Sequence, residues 1–401
     1  MTRMQSKPAA FPLGRSVVIS DLERDPYSIY ARLQAEEPIT WIDALGMWYV
    51  LRYEDVRSIV MDVENFTTGG EHSLIFDTFG AHMLTTEGAL HDRFRRSVQR
   101  AFNPGFIKKH FEAPVDRLAG DLVRDLRSQG ETELRTTFAS RLPVQAILAV
   151  FGMPVEDEPL MRRWYNSFEK ALANFTWDEQ VRAAARKSVA EFHDYLGEAI
   201  RNARSCANGS LLAELVNAPD SECLEDDEIK ANLSIIFFGG ISTVEALILN
   251  SMWALFAHPV VLNRARSEPG ILPKVIEEAI RWRSPVQSAT RHVVRDTIYK
   301  GIRFAKGDAV NCMLGAANHD PAMFADPDRF DIERPNAARH LGFATGPHAC
   351  LGFQLAKMEG RLAIRRLLAE LPELHHMKEK SSAPQGYEFH QPESMHVCWR
   401  T

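Results

Sequence analysis

The sequence predicts a mainly α fold with a minor β part, organised as one helix-rich domain with small β-sheets. Apolar residues recur at helical spacing through most of residues 21–256. Within that region, the segment 232–256 is apolar on nearly every side, as expected of a helix that is covered all round. Alternating apolar residues between turn signals are confined to short stretches. Because no linker divides the chain, residues 15–401 are predicted to form a single domain after a flexible tail at 1–14.

The composition is typical of a globular protein. Of 401 residues, 45% are apolar and 25% are charged. Lys and Arg number 47 and Asp and Glu number 53, so the net charge of −6 argues against a nucleic-acid partner. The five cysteines are odd in number and form no Cys-x-x-Cys pair, which disfavours a disulfide framework and a structural zinc site. Reduced thiols and the lack of an apolar signal segment at 1–14 together predict a cytoplasmic protein.

The first half of the chain is predicted to be mostly helical. A β-hairpin is expected at 39–51, with Gly46 in its turn. Residues 65–89 are rich in glycine and are predicted to form a long irregular loop, which in a compact domain is usually functional or mobile. The predicted helices cover 26–36, 53–60, 91–102, 106–126, 140–151, 156–173 and 179–203.

The segment 232–256 is long enough to cross a membrane. Its only charged residue is Glu245, but Gly239 and Gly240 lie at its middle and no aromatic belt flanks it on both sides. A long helix buried in the protein core is therefore predicted, and a membrane anchor is the alternative.

The last third of the chain mixes helix and strand. A helix at 274–283 should end before Pro285, because a proline disfavours helical backbone at the preceding residue. Residues 287–310 are β-like with turns near 295–296 and 306–307, and residues 320–340 are irregular. A helix is predicted at 350–370 and a final β-hairpin at 384–399.

Cys350 lies in the most informative segment of the chain. Glycines on both sides allow tight turns, and a cysteine at a helix start has its thiolate favoured by the helix dipole. Such a single thiolate suits a haem iron, whereas a small buried apolar side chain is the simpler alternative. The segment reads Gly342-Phe343-Ala344-Thr345-Gly346-Pro347-His348-Ala349-Cys350-Leu351-Gly352.

This segment resembles the haem-binding loop of the cytochrome P-450 superfamily. Phe343, Gly346, His348, Cys350 and Gly352 fill every position of the family pattern. Three further family motifs follow the same resemblance in order along the chain. They are Gly239-Gly240-Ile241-Ser242-Thr243, Glu278-Ala279-Ile280-Arg281 and Asp326-Pro327-Asp328-Arg329-Phe330.

The resemblance implies that Cys350 is the thiolate ligand of haem b (heme b, iron protoporphyrin IX), with the ring of Phe343 screening the ligand loop from water. An anionic sulfur favours cleavage of the O–O bond over reversible oxygen binding. The two haem propionates need cations, and the family positions for these contacts are filled by His91, Arg95, Arg291 and His348. For each of these four residues a surface charge is the alternative.

Glu278 and Arg281 lie three residues apart and so share one helix face. The resemblance implies a buried structural network in which both contact Arg329 or the backbone around it. The alternative is a solvated ion pair, which would stabilise the fold by less than about 1 kcal/mol.

In the long helix the resemblance implies that Gly239 and Gly240 leave room for dioxygen and that the Thr243 hydroxyl assists proton delivery. The family usually has an acid directly before the threonine, and this chain has Ser242 there. Protons are expected to pass through Ser242 and a water molecule, or through Glu245. Alternatively, both hydroxyls only bond to carbonyls one turn back.

The resemblance also predicts the partners. A monooxygenase needs O2 and electrons, and no flavin or iron–sulfur domain is expected in this chain. We therefore expect a separate ferredoxin or flavodoxin-type electron donor with its NAD(P)H reductase, and no membrane. A basic patch for that acidic donor, or merely a solvated face, is predicted at Arg93, Arg96, Arg100, Lys108, Lys109 and Arg361.

By family analogy, aromatic and apolar residues line a pocket for a small hydrophobic substrate. Segments around 281–290 and 317–320 resemble relatives that oxidise small alkoxy-aromatics, while terpenoids, fatty acids and polyketides stay open. Hydroxylation and oxidative O-dealkylation both fit, and a non-catalytic haem sensor or carrier is the rival function. Candidate lining residues, each of which could instead be ordinary core, are Phe76, Phe79, Met83, Leu84, Phe238, Val286 and Phe389.

Overall fold

Most of the periodic apolar segments form helices in the computed structural model of the protein, which describes residues 11–70, 73–174, 176–205, 209–218 and 223–401. Helix accounts for 58% of the structure, which confirms the mainly α prediction. The helices are α1 Pro12–Arg15, α2 Ile19–Arg24, α3 Pro26–Glu36, α4 Tyr53–Met61, α5 Leu74–Phe79, α6 Gly88–Gln99, α7 Pro104–His110, α8 Glu112–Leu126, α9 Arg141–Phe151, α10 Glu158–Leu172, α11 Glu179–Ala203, α12 Leu211–Val216, α13 Asp226–Gly239, α14 Ser242–Ala257, α15 Pro259–Ser267, α16 Leu272–Trp282, α17 Leu314–Ala317 and α18 Phe353–Glu370.

The strands are short, as the confined alternation predicts. They are β1 Ile39–Ile42, β2 Met47–Val50, β3 Phe66–Thr67, β4 Glu131–Glu133, β5 Ser288–Val293, β6 Thr297–Tyr299, β7 Ile302–Phe304, β8 Ala309–Met313, β9 His375–His376, β10 Pro384–Gln385, β11 Gln391–Pro392 and β12 His396–Cys398.

One compact unit comprises the described residues of 1–67, together with 249–350 and 377–395. Its five-stranded sheet has the order β1-β2-β8-β5-β3, in which β2 and β8 run parallel and the other neighbours antiparallel. Aromatic side chains on the sheet fill the core of this unit, because a pleated, half-buried surface favours them. Examples are the buried residues Trp48, Phe66 and Phe304.

The second unit comprises the described residues of 68–248, together with 351–376 and 396–401. It holds α5 to α13, α18 and the antiparallel sheet β4-β12-β9. Asp116 of α8 accepts hydrogen bonds from Arg365 and Arg366 of α18, at 2.7 and 2.6 Å, and so ties these two helices together. The predicted single domain for 15–401 stays a prediction.

The long apolar segment becomes two helices, α13 and α14, interrupted at Gly240 and Ile241. Over residues 226–257 it is, within the described part of the chain, the one helical segment apolar and long enough to cross a membrane. However, 78% of its most apolar window is buried inside the protein, as in a core helix.

The prediction of an irregular loop at 65–89 is wrong in part. This segment contains β3 and α5, and its last residues belong to α6, which begins at Gly88. The Ser73 hydroxyl caps α5 by accepting from the Phe76 amide at 3.3 Å. Asp77 of α5 then accepts two hydrogen bonds from Arg182 of α11, at 2.9 and 2.6 Å. The glycine content of this segment indicates a loop and gives no sign of the short helix α5.

Three other boundaries differ from the prediction. Helix α1 begins at Pro12, inside the segment predicted as a tail, and residues 1–10 lie outside the described residues. The helix at 106–126 is two helices, since Pro114 lacks an amide hydrogen and its ring clashes with a preceding carbonyl. The final hairpin pairs only β10 with β11, while β12 pairs with β4 and β9 instead. Alternating apolar residues predict where a strand lies but not which strand it pairs with.

Candidate functional site

Cys350 lies in a loop that is closed by hydrogen bonds between its own backbone groups. The Cys350 amide donates to the Phe343 carbonyl at 2.9 Å, and the Ala349 amide donates to the Gly346 carbonyl at 3.0 Å. The Phe343 ring is half-buried, with its centre 5.6 Å from that of the His340 ring. Cys350 itself is exposed. The loop therefore holds an accessible thiol in a fixed position.

Of the two glycines nearest the cysteine, only Gly346 is required by the backbone. Its φ is +77°, and a Cβ there would lie 2.8 Å from the Met61 sulfur. Gly352 has φ −85°, and its Cβ would approach nothing closer than 3.9 Å, so the structure gives no reason for a glycine. Helix α18 begins at Phe353, three residues later than predicted.

The other cysteines of the described chain lack such a setting. Cys312 is fully buried, and burial raises the pKa of its thiol to about 12. Cys223 is exposed and Cys398 is half-buried, but neither lies in a glycine-bounded loop. Cys206 lies outside the described residues. The donor chemistry and the rigid loop around Cys350 thus fit a single thiolate ligand for haem iron.

Glu278 and Arg281 form a fully buried ion pair on α16. The Arg281 Nε and Nη2 atoms donate to the two Glu278 carboxylate oxygens, each at 2.8 Å, and both side chains are 0% exposed. A solvated ion pair therefore does not describe them. Arg281 also donates to the carbonyl oxygens of Asn318, Pro327 and Arg329, at 3.0, 2.8 and 3.0 Å.

These contacts match the backbone alternative of the prediction, and the network includes a further arginine that the sequence did not predict. The Arg329 side chain is 70% exposed, and only its carbonyl takes part. Arg334, with a side chain only 6% exposed, donates instead from Nε to Glu278 at 3.2 Å. The sequence marks Arg334 weakly, because it is one of several arginines in an irregular, Pro-rich segment.

Three of the four predicted propionate contacts are buried. His91 is 4%, Arg291 3% and His348 7% exposed, and Arg95 is half-buried. The His91 Nδ1 atom lies 3.2 Å from Asp92 Oδ1, and Arg291 Nη1 donates to the Thr290 carbonyl at 3.0 Å. The surface-charge alternative therefore does not describe His91, Arg291 or His348. Buried side chains with N–H donors are those that can hold a desolvated carboxylate.

The helix interruption places a hydroxyl beside open space. Thr243 Oγ1 donates to the Gly239 carbonyl at 2.6 Å. This is the bond to a carbonyl one turn back that the simpler alternative predicts for Thr243. Gly239 is exposed, and a Cβ there would meet nothing within 4 Å. The backbone at Gly239 therefore has room for a small molecule, as predicted. Gly240 does not, because a Cβ there would lie 3.2 Å from the Ile236 carbonyl oxygen and 3.3 Å from Ile147 Cδ1.

Ser242 and Glu245 have partners that the sequence did not indicate. The Tyr165 hydroxyl of α10 donates to Ser242 Oγ at 2.5 Å. Glu245 accepts from Arg135 Nε at 2.5 Å, and its side chain is 7% exposed. Both partners lie far away in sequence, so spacing along the chain carries no signal for them.

The substrate-pocket candidates fall into separate groups. Phe79 packs edge-on against Phe168 with ring centres 5.1 Å apart, and it lies 6.0 Å from Phe238. Val286 and Phe389 face each other in an isolated β-bridge. Met83 is buried, Leu84 is half-buried and Phe76 is 42% exposed.

Half of the predicted basic patch is neutralised within the protein. Arg93 pairs with Glu228, Arg100 lies 3.5 Å from Glu214, and Arg361 lies 2.5 Å from Glu112. The remaining cations are exposed, and among the described residues no carboxylate pairs with them. They are Arg96, Lys108 and Lys109.

The chain matches the model of the cytochrome P450 family over residues 26–389, and it belongs to that family. It is 31% identical over 390 residues to the cytochrome P450 monooxygenase PikC of Streptomyces venezuelae, a match that covers 93% of this chain and 91% of PikC. It is 30% identical over 363 residues to vitamin D(3) 25-hydroxylase of Pseudonocardia autotrophica, covering 88% and 87%.

Solved structures agree with the family assignment. Cytochrome P450 CREJ, in complex with (4-ethylphenyl) dihydrogen phosphate, matches with a TM-score of 0.85 at 25% identity, covering 96% of this chain and 100% of CREJ. The protein is therefore an oxidoreductase of the cytochrome P450 monooxygenase class, which uses a haem-thiolate centre, O2 and external electrons. This confirms the family predicted from the Cys350 segment.

Proposed function

We propose that the protein binds haem b through the Cys350 thiolate and inserts one atom of O2 into a C–H bond of a small hydrophobic substrate. The observation that carries this proposal is the rigid Cys350 loop, because Gly346 and the Cys350–Phe343 backbone bond fix the thiol in an accessible position. Thiolate-ligated haem supplies O–O bond cleavage when it is bound.

Residues of this chain hold the cofactor and manage protons. His91, Arg95, Arg291 and His348 would neutralise the propionates, and the burial of three of these side chains supports that role. Glu278, Arg281 and Arg334 stabilise the backbone around 318–329 and have no direct part in the chemistry. The Thr243 hydroxyl, beside the open face of Gly239, would hand protons to the oxygen-binding region.

The electron donor is proposed to be a ferredoxin or flavodoxin with its NAD(P)H reductase. The protein itself is proposed to be cytoplasmic. Arg96, Lys108 and Lys109 are the exposed cations of the predicted patch that stay unpaired in the described chain. An acidic donor would be steered toward them, with an association rate that falls as salt rises.

The substrate class is small and hydrophobic, and hydroxylation or oxidative O-dealkylation of an alkoxy-aromatic fits the sequence resemblance. Phe79 and Phe238 support an aromatic-lined site. The names of the relatives, a vitamin D(3) hydroxylase and a complex with an ethylphenyl phosphate, point to different substrates. A compound library screened for a Soret shift on binding would identify the ligands.

The test is an isotope experiment with a library hit, a surrogate ferredoxin and its reductase. Under ¹⁸O2, a hydroxylated product should carry one ¹⁸O atom; in an O-dealkylation the released aldehyde should carry it, trapped by reduction before it exchanges with water. The second oxygen atom should leave as water in both cases. NADH consumption that no compound stimulates, with no oxygenated product, would favour the rival function of a haem sensor or carrier.

Thr243→Ala is expected to bind substrate and consume NADH while losing product. Without the hydroxyl, protons arrive at the wrong time and electrons leave as hydrogen peroxide. Product formed per NADH should fall at least about tenfold, because a positioned proton-transfer group typically contributes about 10²–10⁴-fold. The measurement is product and peroxide per NADH. Unchanged coupling would remove Thr243 from proton delivery.

A further inference from the structure

We infer that Tyr165 is a positioning residue that clamps the interruption between α13 and α14 and thereby fixes Thr243 beside Gly239. This inference rests on the proposed function for its effect on catalysis. Nothing in the sequence motifs marks Tyr165, which lies on α10, 77 positions before Ser242.

The Tyr165 side chain touches both sides of the helix interruption. Its ring stacks on that of Phe238, with centres 5.6 Å apart and planes at 18°, just before Gly239. Its hydroxyl donates to Ser242 Oγ at 2.5 Å, just before Thr243. One rigid side chain thus bridges the end of α13 and the start of α14.

The hydroxyl also satisfies a backbone group that the interruption frees. Ser242 is the first residue of α14, where amide hydrogens have no acceptor within the helix. Its amide donates to the Tyr165 hydroxyl at 3.3 Å. Because Tyr165 and Ser242 are each only 5% exposed, water cannot readily replace these two bonds.

The charged groups near Tyr165 keep the hydroxyl in its donating form. Burial raises the pKa of Tyr165, and the carboxylates of Glu169 and Glu245 raise it further. Glu245 is in turn paired with Arg135. Tyr165 therefore stays neutral near pH 7 and donates to Ser242, so Ser242 accepts from a fixed partner rather than acting as a free proton carrier.

Thr243 follows Ser242 directly, and its hydroxyl bonds to the Gly239 carbonyl across the same interruption. Loosening the start of α14 would let this hydroxyl move relative to the open face of Gly239. Small misplacements of a positioned group lower the efficiency of a reaction without abolishing binding. The clamp should therefore affect coupling more than affinity.

The experiment compares Tyr165→Phe, Ser242→Ala and the double variant in the haem-loaded protein. Tyr195→Phe is the matched control, because the Tyr195 hydroxyl also donates at 2.5 Å, but to Asp157 on another surface. The first readout is amide hydrogen exchange in peptides that cover 238–245. The second is the ratio of peroxide to product, with substrate affinity measured by the Soret shift.

Exchange in 238–245 and the peroxide-to-product ratio should each rise about three- to tenfold in Tyr165→Phe, as for the loss of one buried hydrogen bond. Substrate affinity should stay within about twofold. Ser242→Ala should show a smaller rise, because its backbone amide can still donate to the Tyr165 hydroxyl, and the double variant should not exceed Tyr165→Phe, which already removes both bonds. Tyr195→Phe should leave both readouts at the wild-type level.

Unchanged exchange at 238–245 in Tyr165→Phe would overturn the clamp, and so would additive effects in the double variant. An equal rise in peroxide in Tyr195→Phe would also overturn it, because general destabilisation would then explain the result. A wild-type protein without a thiolate spectrum would instead overturn the proposed function, while the exchange readout would still decide on the clamp.

Discussion

Cys350→Ser is expected to lose the strongly red-shifted Soret band of the reduced carbon monoxide complex. A serine hydroxyl is not ionised near neutral pH and is a poor donor to a soft metal site, so the electron push of the thiolate disappears. The loop itself should persist, because the bond from residue 350 to Phe343 is made by the backbone. Product formation should fall to background with an otherwise folded protein.

Two serine variants serve as controls for that result. Cys223 and Cys398 are thiols outside the glycine-bounded loop, and each variant should retain the band and the activity. Retention of the band in Cys350→Ser would contradict the ligand assignment. Loss of the band in Cys398→Ser or Cys223→Ser would move the ligand to a different cysteine.

Glu278→Ala is expected to yield mostly insoluble or haem-free protein. The change leaves Arg281, which is 0% exposed, as a buried charge without its carboxylate. Removing one partner of such a pair typically costs about 3–5 kcal/mol, a large part of the stability of a typical domain. Arg281→Ala should behave alike, because Glu278 would lose two of its hydrogen bonds and three backbone carbonyls would lose the Arg281 donor. Soluble yield, haem content and unfolding by denaturant measure the effect.

The structure offers a matched pair of arginines to test this network. Arg329 contributes only its carbonyl oxygen, so Arg329→Ala should fold and bind haem almost normally. Arg334 donates from a side chain that is 6% exposed, so Arg334→Ala should be clearly destabilised. The opposite order would contradict the assignment of Arg334 to the network, and normal yield in Glu278→Ala would make the pair energetically unimportant.

Local patterns in the sequence predicted much of the fold. Helical periodicity located α3, α4 and α9 to within a residue or two, and the hairpin of β1 and β2 turns at Gly46 as expected. The short helix α5 was not predicted, because glycines on both sides indicated a loop. It is stabilised by the Ser73 cap and by the hydrogen bond from Arg182 of α11. Periodicity detects a repeated apolar face, and six residues are too few to show one.

Contacts between residues distant in sequence were predicted only where the resemblance supplied them, as for Arg281 and the backbone at Arg329. The resemblance placed Glu278 with an arginine of the following segment, but only packing decides between Arg329 and Arg334. In the same way, proton delivery through Ser242 and water, or through Glu245, stays a prediction, but neither the Tyr165 partner of Ser242 nor the Arg135 partner of Glu245 could be predicted. Each of these partners is selected by tertiary geometry, for which one sequence carries no pattern.

The most direct test of the haem-thiolate assignment is the absorption spectrum of the purified wild-type protein, reduced and saturated with carbon monoxide. We predict the strongly red-shifted Soret band that only a thiolate ligand gives, with one haem per chain. A spectrum typical of histidine-ligated haem in freshly prepared, folded protein, or no bound haem at all, would contradict the role of Cys350.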